Sequence, residues 1–258
     1  MKSTLSFSTP AIMLRRIDFG DYDFIITFFT LNSGKVSVIA KSARKSIKRF
    51  SGILELFYAL DIVVGAGRGK GLSILQEASL RQPFYRIREN ITKTAYASYW
   101  AELINEWMEN HVKNIKLYHL FQYVLYELDL GRMPEDVLSI LFQMKLISMS
   151  GFYPNLRNCS ICKVEMEKMK GNRIVFDITK GGLVCEKCES GSLRQITLSK
   201  GTIKQLLWVG AGDLNKAGRI RFSPEALKNC LEFLEAFVPY HLGKEPKSLK
   251  FLRQIRKG

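Results

Sequence analysis

Two Cys-x-x-Cys pairs, Cys159-Ser-Ile-Cys162 and Cys185-Glu-Lys-Cys188, stand 22 residues apart in the last third of this 258-residue chain. Two residues between thiols let both sulfurs of a knuckle turn onto one cation, and two knuckles complete the tetrahedral four-sulfur shell that zinc prefers. The gap slightly exceeds the usual range of about 15–20 residues. A strand-like stretch, Arg173–Ile178, followed by Gly181-Gly182 lets the excess form the hairpin of a zinc ribbon. The competing readings are a redox pair or four buried thiols. A thioredoxin-type motif needs a βαβ setting, which this segment lacks. With cysteine at Cys159, Cys162, Cys185 and Cys188 no coordination site stays open, so one structural Zn2+, rather than a catalytic one, is expected. Cys230 lies among Leu227, Leu231, Phe233 and Leu234 at helical spacing and reads as a core residue.

Charge is the second constraint. Lys and Arg number 39 against 24 Asp and Glu, a formal surplus of +15 that opposes compaction and points to a polyanionic partner. Residues 1–80 carry 11 basic and 6 acidic side chains, residues 81–150 carry 8 and 8, and residues 151–258 carry 20 and 10. The basicity therefore sits at the two ends, as two nucleic-acid-facing regions joined by a neutral packing segment would require. Anionic lipid is the weaker alternative: no window approaches the roughly 20 apolar residues of a spanning helix. The N-terminus, with Ser3, Thr4, Ser6, Ser8, Thr9 and Pro10, is too polar for a signal peptide. A cytoplasmic, nucleoid-associated protein with no membrane partner is expected.

The first eighty residues read as five short strands: Ala11–Ile17, Tyr22–Leu31, Lys35–Lys41, Leu54–Val64 and Leu72–Leu80, punctuated by Gly20, Asn32-Ser33-Gly34 and Gly65–Gly71. Five strands in that length suggest an OB-type barrel, although the count alone does not separate it from an SH3-like one. From about Ile91 the period becomes helical. Tyr96, Tyr99, Trp100, Leu103, Ile104 and Trp107 share one face, and Leu117, Leu120, Phe121, Val124, Leu125 and Leu128 another. A third helix is expected from Pro134 to a stop at Gly151, a fourth after Ser199, and a fifth opened by Ser223-Pro224-Glu225. The expected fold is α+β. An OB-fold barrel over 1–80 precedes the first part of a helical domain over 81–150. An inserted four-cysteine zinc-binding segment, a zinc ribbon, spans 151–195, and C-terminal helices over 196–258 pack on the helical domain.

Lys41-Ser-Ala-Arg44-Lys45-Ser-Ile-Lys48-Arg49 places five cations in nine residues directly after a strand, among small neighbours that let the backbone approach a phosphate chain. Lys41, Arg44, Lys45, Lys48 and Arg49 are the candidate DNA contacts. Lys35, Arg68 and Lys70 extend the patch if their turns share its barrel mouth. Tyr22, Phe24, Phe28 and Phe57 are candidate stacking surfaces, although most aromatics of so small a barrel must be core. Gly65–Gly71 is not a phosphate-binding loop: counting back from Gly69-Lys70 finds Val64 where the first glycine belongs, and Gly71 replaces the Ser or Thr. No nucleotide cofactor is expected. Asp18, Asp21 and Asp23 are the carboxylates a Mg2+-dependent nuclease would use, yet they lie across a turn where carboxylates serve local hydrogen bonds. His111, His119 and His241 have no nucleophile or paired carboxylate at recognisable spacing, so no catalytic residue is assigned.

Several short motifs, in order along nearly the whole chain, resemble the RecO family of bacterial DNA repair and recombination mediators. They are Ala11-Ile-Met-Leu14, Gly20-Asp-Tyr-Asp23, Phe29-Thr30, Gly34-Lys35 and Ala40-Lys41-Ser-Ala-Arg44-Lys45, then Leu75-Gln-Glu77-Ala78, Ala95-Tyr96, Tyr99 and Glu102-Leu103. Gly151-Phe-Tyr-Pro154 with the four cysteines and Gly181-Gly182, and then His241-Leu-Gly243, Lys247-Ser248 and Phe251-Leu252, complete the set. Ser42 stands where the family usually has Gly, which stiffens the turn and removes no cation. The resemblance implies a non-enzymatic protein that binds single- and double-stranded DNA, anneals complementary strands and helps the recombinase RecA load onto strands coated by single-strand-binding protein. RecR and the acidic C-terminal tail of single-strand-binding protein are the implied protein partners. Of the family's DNA contacts, Lys41, Arg44 and Lys45 carry over. A zinc-ribbon RNA-binding or translation-associated protein is the rival reading, and a nuclease the second.

Overall fold

The structure is a computed structural model that describes residues 6–46, 49–67, 71–189, 191, 193–212 and 221–256. It divides into two compact units, residues 1–131 with 246–258, and residues 132–245.

The first unit is built on a closed barrel of five strands: β1 (Phe7–Phe19), β2 (Asp23–Thr30), β3 (Gly34–Ala40), β4 (Ala59–Gly65) and β5 (Ser73–Gln82), in the order β1-β2-β3-β5-β4. This is the OB arrangement, as expected. Alternation explains it: Ile26 and Phe28, Val36 and Val38, and Leu60, Ile62 and Val64 all point into one core with Met13 and Leu75. β1 is longer than the sequence pattern suggested because it serves two neighbours. Its first half pairs with β4 (Phe7↔Val64 to Ile12↔Ala59) and its second with β2 (to Phe19↔Asp23), with a register shift between Met13 and Arg15. Such an irregularity bends a strand and lets one ribbon close a small barrel. The fourth strand starts at Ala59 rather than Leu54. Phe57, at φ 69°, turns the chain so that Phe57 and Tyr58 exchange backbone hydrogen bonds with Met13 instead.

Three helices follow: α1 (Tyr85–Arg88), α2 (Ile91–Trp107) and α3 (Ile115–Leu130). Asn90 and Asn114 cap α2 and α3 by accepting from Lys93 N and Leu117 N. Phe29 leaves the barrel wall to meet Tyr118 of α3 at 5.9 Å between ring centroids. The C-terminal helix α7 (Lys247–Ile255) belongs to this unit. Its start is capped from α2: the Glu102 carboxylate accepts from Lys247 N at 3.1 Å and Ser248 N at 2.8 Å, and also from the Ser248 hydroxyl.

The second unit holds α4 (Glu135–Met149), a sheet of β6 (Arg173–Asp177), β7 (Gly182–Val184) and β8 (Gln195–Ser199) in the order β7-β6-β8, then α5 (Lys200–Ala211) and α6 (Pro224–Leu242). Ser199 and Ser223 cap α5 and α6 through Thr202 N and Ala226 N, and Pro224 takes the first turn of α6. Cys230 is buried with Phe233, Leu234 and Phe237 on the inner face of α6, as its spacing suggested. The segment 81–150, uniform in period, is shared between units: α1 to α3 lie in the first and α4 in the second. Period reports helix and not which neighbour a helix packs on. No helix among the described residues is long and apolar enough to cross a membrane.

Candidate nucleic-acid interface and metal centre

The basic loop is folded onto the β1–β2 turn by a set of polar contacts. A 3-10 turn, Ala43–Lys45, follows β3. Arg44 N donates to Tyr22 O at 3.0 Å, Ser42 N to Asp23 Oδ1 at 2.7 Å and Lys41 Nζ to Asp23 Oδ2 at 2.6 Å. The Lys45 ammonium lies 3.3 Å from the centroid of the Tyr22 ring. The Arg44 guanidinium stands 3.7 Å from the Asp18 carboxylate, and Arg49 Nη2 donates to Lys41 O at 2.8 Å. The hydrogen bond from Lys41, with that of Ser42 N–H, holds the Asp23 carboxyl below the ordinary aspartate range.

Lys41 and Arg44 remain about half exposed within these pairs. Ion pairs at such a surface are worth only about 0–1 kcal/mol, so neither cation is strongly committed to its carboxylate. Asp18 and Asp23 thus serve the loop and do not converge with Asp21 on a common point. Among the described residues, the four thiols are the group of His, Cys, Asp or Glu placed to hold a metal ion.

Lys35 stands at the other end of β3, about 20 Å of extended chain from Lys41. Its ammonium donates to the carbonyl of Asn105, its own carbonyl accepts from His111 N, and Gly34 beside it lies so close to Val112 that a Cβ there would meet Val112 O at 2.2 Å. This end of β3 is therefore tied to the α2–α3 connection, and its turn does not share the basic loop's mouth. Lys48, Arg68 and Lys70 lie outside the described residues. Beyond that gap β5 starts at Ser73 and Ile74, which run parallel beside Val38 and Ile39. Of the candidate stacking rings, Phe28 and Phe57 are core and Phe24 packs against the core, whereas Tyr22 is exposed. Phe19, across the same turn, is equally exposed. Sequence reasoning misses it because it falls between the strand expected to end at Ile17 and the turn at Gly20.

The sulfur atoms of Cys159, Cys162, Cys185 and Cys188 all lie within 4.8 Å of one another, with Cys162 and Cys185 at 3.5 Å. Each pair sits on a tight turn, Lys163 N donating to Cys159 O at 3.1 Å and Cys188 N to Cys185 O at 2.9 Å. The first knuckle is fixed to the sheet by Ser160 N, which donates to Leu183 O at 2.8 Å. Gly182 makes that approach possible, since a Cβ there would meet Ser160 Oγ at 2.2 Å. Burial disfavours a Cys159 thiolate, but N–H groups of Cys185, Cys162 and Ile161 donate to its sulfur and bring its pKa down to about 6. The adjoining hairpin is held by Asp177, fully buried, whose carboxylate accepts from Thr179 N, Thr179 Oγ1, Lys180 N and Lys180 Nζ.

An OB barrel with a prefolded cationic loop, carried with a four-thiol cluster able to hold a metal ion, defines the class: an OB-fold protein with a cysteine metal-binding element. Comparison with known proteins gives the particular family. The family model described as Recombination protein O N terminal matches residues 1–84, and Recombination protein O C terminal matches residues 88–250. The DNA repair protein RecO of Desulfosudis oleivorans is 45% identical over 97% of this chain and 98% of its own length. That of Desulfatibacillum aliphaticivorans is 44% identical over 97% of each chain, and that of Syntrophus aciditrophicus 31% over 100% and 99%. The chain belongs to the RecO family of DNA repair proteins.

Proposed function

We propose that this protein is a non-enzymatic DNA-binding mediator that anneals complementary strands and helps RecA load onto DNA coated by single-strand-binding protein, with RecR and the acidic tail of single-strand-binding protein as partners. The observation that carries the reading is the basic loop itself, with Lys41, Arg44 and Lys45 held at the β1–β2 turn and Arg49 on the Lys41 carbonyl by exchangeable surface contacts. Two single strands repel one another, and a scaffold that neutralises both backbones without reading bases lowers the cost of their encounter. The +15 surplus supports the same reading.

The cluster of thiols suits zinc. A tetrahedral ion with metal–sulfur bonds of about 2.3 Å sets its sulfurs about 3.8 Å apart, close to the spacing of these four, and the N–H groups around Cys159 stabilise a thiolate. Zinc held by Cys159, Cys162, Cys185 and Cys188 would supply a closed structural crosslink. The knuckles are positioned by Ser160, Leu183 and Gly182.

The test of the whole reading is annealing of strands precoated with single-strand-binding protein, with and without the protein. Acceleration supports it, and annealing at the uncatalysed rate overturns it. Replacing Lys41, Arg44 and Lys45 together by Ala should flatten the slope of log affinity against log salt by about 2–3 units, at about 0.7–0.9 per lost contact. An unchanged slope removes the loop from the interface.

A further inference from the structure

We infer that Phe19 and Tyr22 form a base-stacking subsite beside the basic loop, so that the site selects unpaired DNA over duplex. The inference rests on the reading of Lys41, Arg44 and Lys45 as phosphate contacts and adds what the bases do.

Most of the barrel's aromatic residues serve its core, Phe7 and Phe24 as half-buried rings packed against it. Phe28, Phe29, Phe50, Phe57 and Tyr58 are at most 3% exposed, whereas Phe19 is 48% and Tyr22 44% exposed. A single exposed ring carries no meaning. These two flank one turn, Gly20-Asp21, and that turn is hydrogen-bonded to the loop through Tyr22 O and Arg44 N. Phe19 pairs directly across the β1–β2 ribbon with Asp23, the residue that holds Lys41 and Ser42 N–H. Cross-strand partners project to the same side of a sheet, so the Phe19 ring and the Lys41 anchor share a face. The Lys45 ammonium already lies against Tyr22, which puts cation and ring within the reach of one nucleotide.

A strand whose phosphates take Lys41, Arg44 and Lys45 therefore has its bases beside two exposed rings. Every base has a π-face, so stacking there is indifferent to sequence. Bases inside a duplex are already stacked and cannot offer those faces without being extruded. Phosphate contacts alone serve both forms of DNA, and the rings add a contribution for single strands only.

The test uses the full chain and three probes: oligo(dT), the same oligomer with abasic nucleotides, and a duplex of equal length, all at one salt concentration. Phe19→Ala should weaken oligo(dT) binding about tenfold, within the range for one lost stacking contact, and leave the abasic and duplex affinities unchanged, whereas Tyr22→Ala, which also releases Lys45, should weaken oligo(dT) binding about tenfold more than it changes the other two. Tyr22→Trp should keep oligo(dT) binding, with indole fluorescence quenched by oligo(dT) and not by the abasic strand. Wild-type affinity for oligo(dT) in both alanine variants overturns the inference, as does equal weakening on all three probes, which would mean the rings only order the loop. The two readings fail separately. If the triple cation variant keeps its salt slope, the loop itself is not the interface. If the slope flattens while the ring variants do not discriminate among the probes, only the stacking subsite falls.

Discussion

Asp23 and Lys41 are joined at 2.6 Å where β2 begins and β3 ends, side by side in the barrel wall, and the other oxygen of the same carboxylate accepts from Ser42 N at 2.7 Å. The aspartate thus does two opposing things. It shapes the loop through a neutral N–H donor and it masks a cation that the proposed DNA contact needs. Asp23→Asn separates them, because the amide oxygen still accepts from Ser42 N–H while the negative charge is gone. DNA binding should tighten a few-fold at low salt and the salt slope should steepen by up to about 0.7–0.9. Asp23→Ala, which removes the acceptor as well, should lower the barrel's thermal midpoint. Salt titrations by fluorescence anisotropy test the first expectation, and weaker binding by the asparagine variant would refute it.

Ser42 occupies the left-handed region at φ 55°, makes no capping hydrogen bond with its side chain, and is exposed. A non-glycine residue there carries a strain of about 1–2 kcal/mol, offset in Gly by about 0.5–1 kcal/mol of extra freedom in the unfolded chain. Ser42→Gly should therefore stabilise the barrel by up to about 1 kcal/mol, and Ser42→Val, whose branched Cβ fits that region worst, should destabilise it. Urea unfolding of the two variants decides the matter. A valine variant as stable as wild type would mean that the loop relaxes out of this conformation at no cost.

Most of the scaffold was legible because it depends on local patterns. Alternating Ile, Val and Phe gave the barrel strands, and the serine and proline signals at Ser199, Ser223 and Pro224 gave helix starts that the structure keeps. The four cysteines were legible because a metal shell constrains spacing within each knuckle. Long-range choices were not. Nothing in the helical period says that α3 ends one packing unit and α4 begins another, and nothing near Glu102 announces that it caps a helix 145 residues later. The cations of the basic loop were visible as charge, but their anchoring to Asp18, Asp23 and the Tyr22 ring depends on two turns meeting in space. Lys35 fails to join them for the converse reason: a strand puts its two ends far apart, and charge counting along the sequence does not register that.

If zinc fills the four-thiol cluster as proposed, chelation separates what it holds from what it does not. Cys230 is fully buried in α6 and its thiol is pushed up to about 12 by that burial, so it is inert while the helix stays packed. Cys159 and Cys185 are buried beside Cys162 and Cys188 in the knuckles, which the proposed ion would hold closed. One zinc per chain is expected in the purified protein, with all five cysteines slow toward a thiol reagent. After chelation four should react quickly and Cys230 slowly. Five fast thiols would show that the metal also holds α6 in place, and fast reaction before chelation would refute metal binding.

Asp177 provides the chain's clearest expectation about pH. Burial alone would raise its pKa, but hydrogen bonds from Thr179 and Lys180 and the charge of Lys180, 3.0 Å away, bring it down to about 2. The folded value lies below the ordinary 3.8. The carboxylate therefore contributes stability that is complete above about pH 4 and is lost as the pH falls toward 2, worth about 2 kcal/mol in all. Asp177→Asn keeps an acceptor for Thr179 but leaves Lys180 without its counter-charge, so at neutral pH the second unit should unfold about 2 kcal/mol more easily. The gap between variant and wild type should then close as both are acidified from about pH 4 toward 2. A gap that stays constant over that window would mean that shape, and not the charge of this carboxylate, holds the turn between β6 and β7.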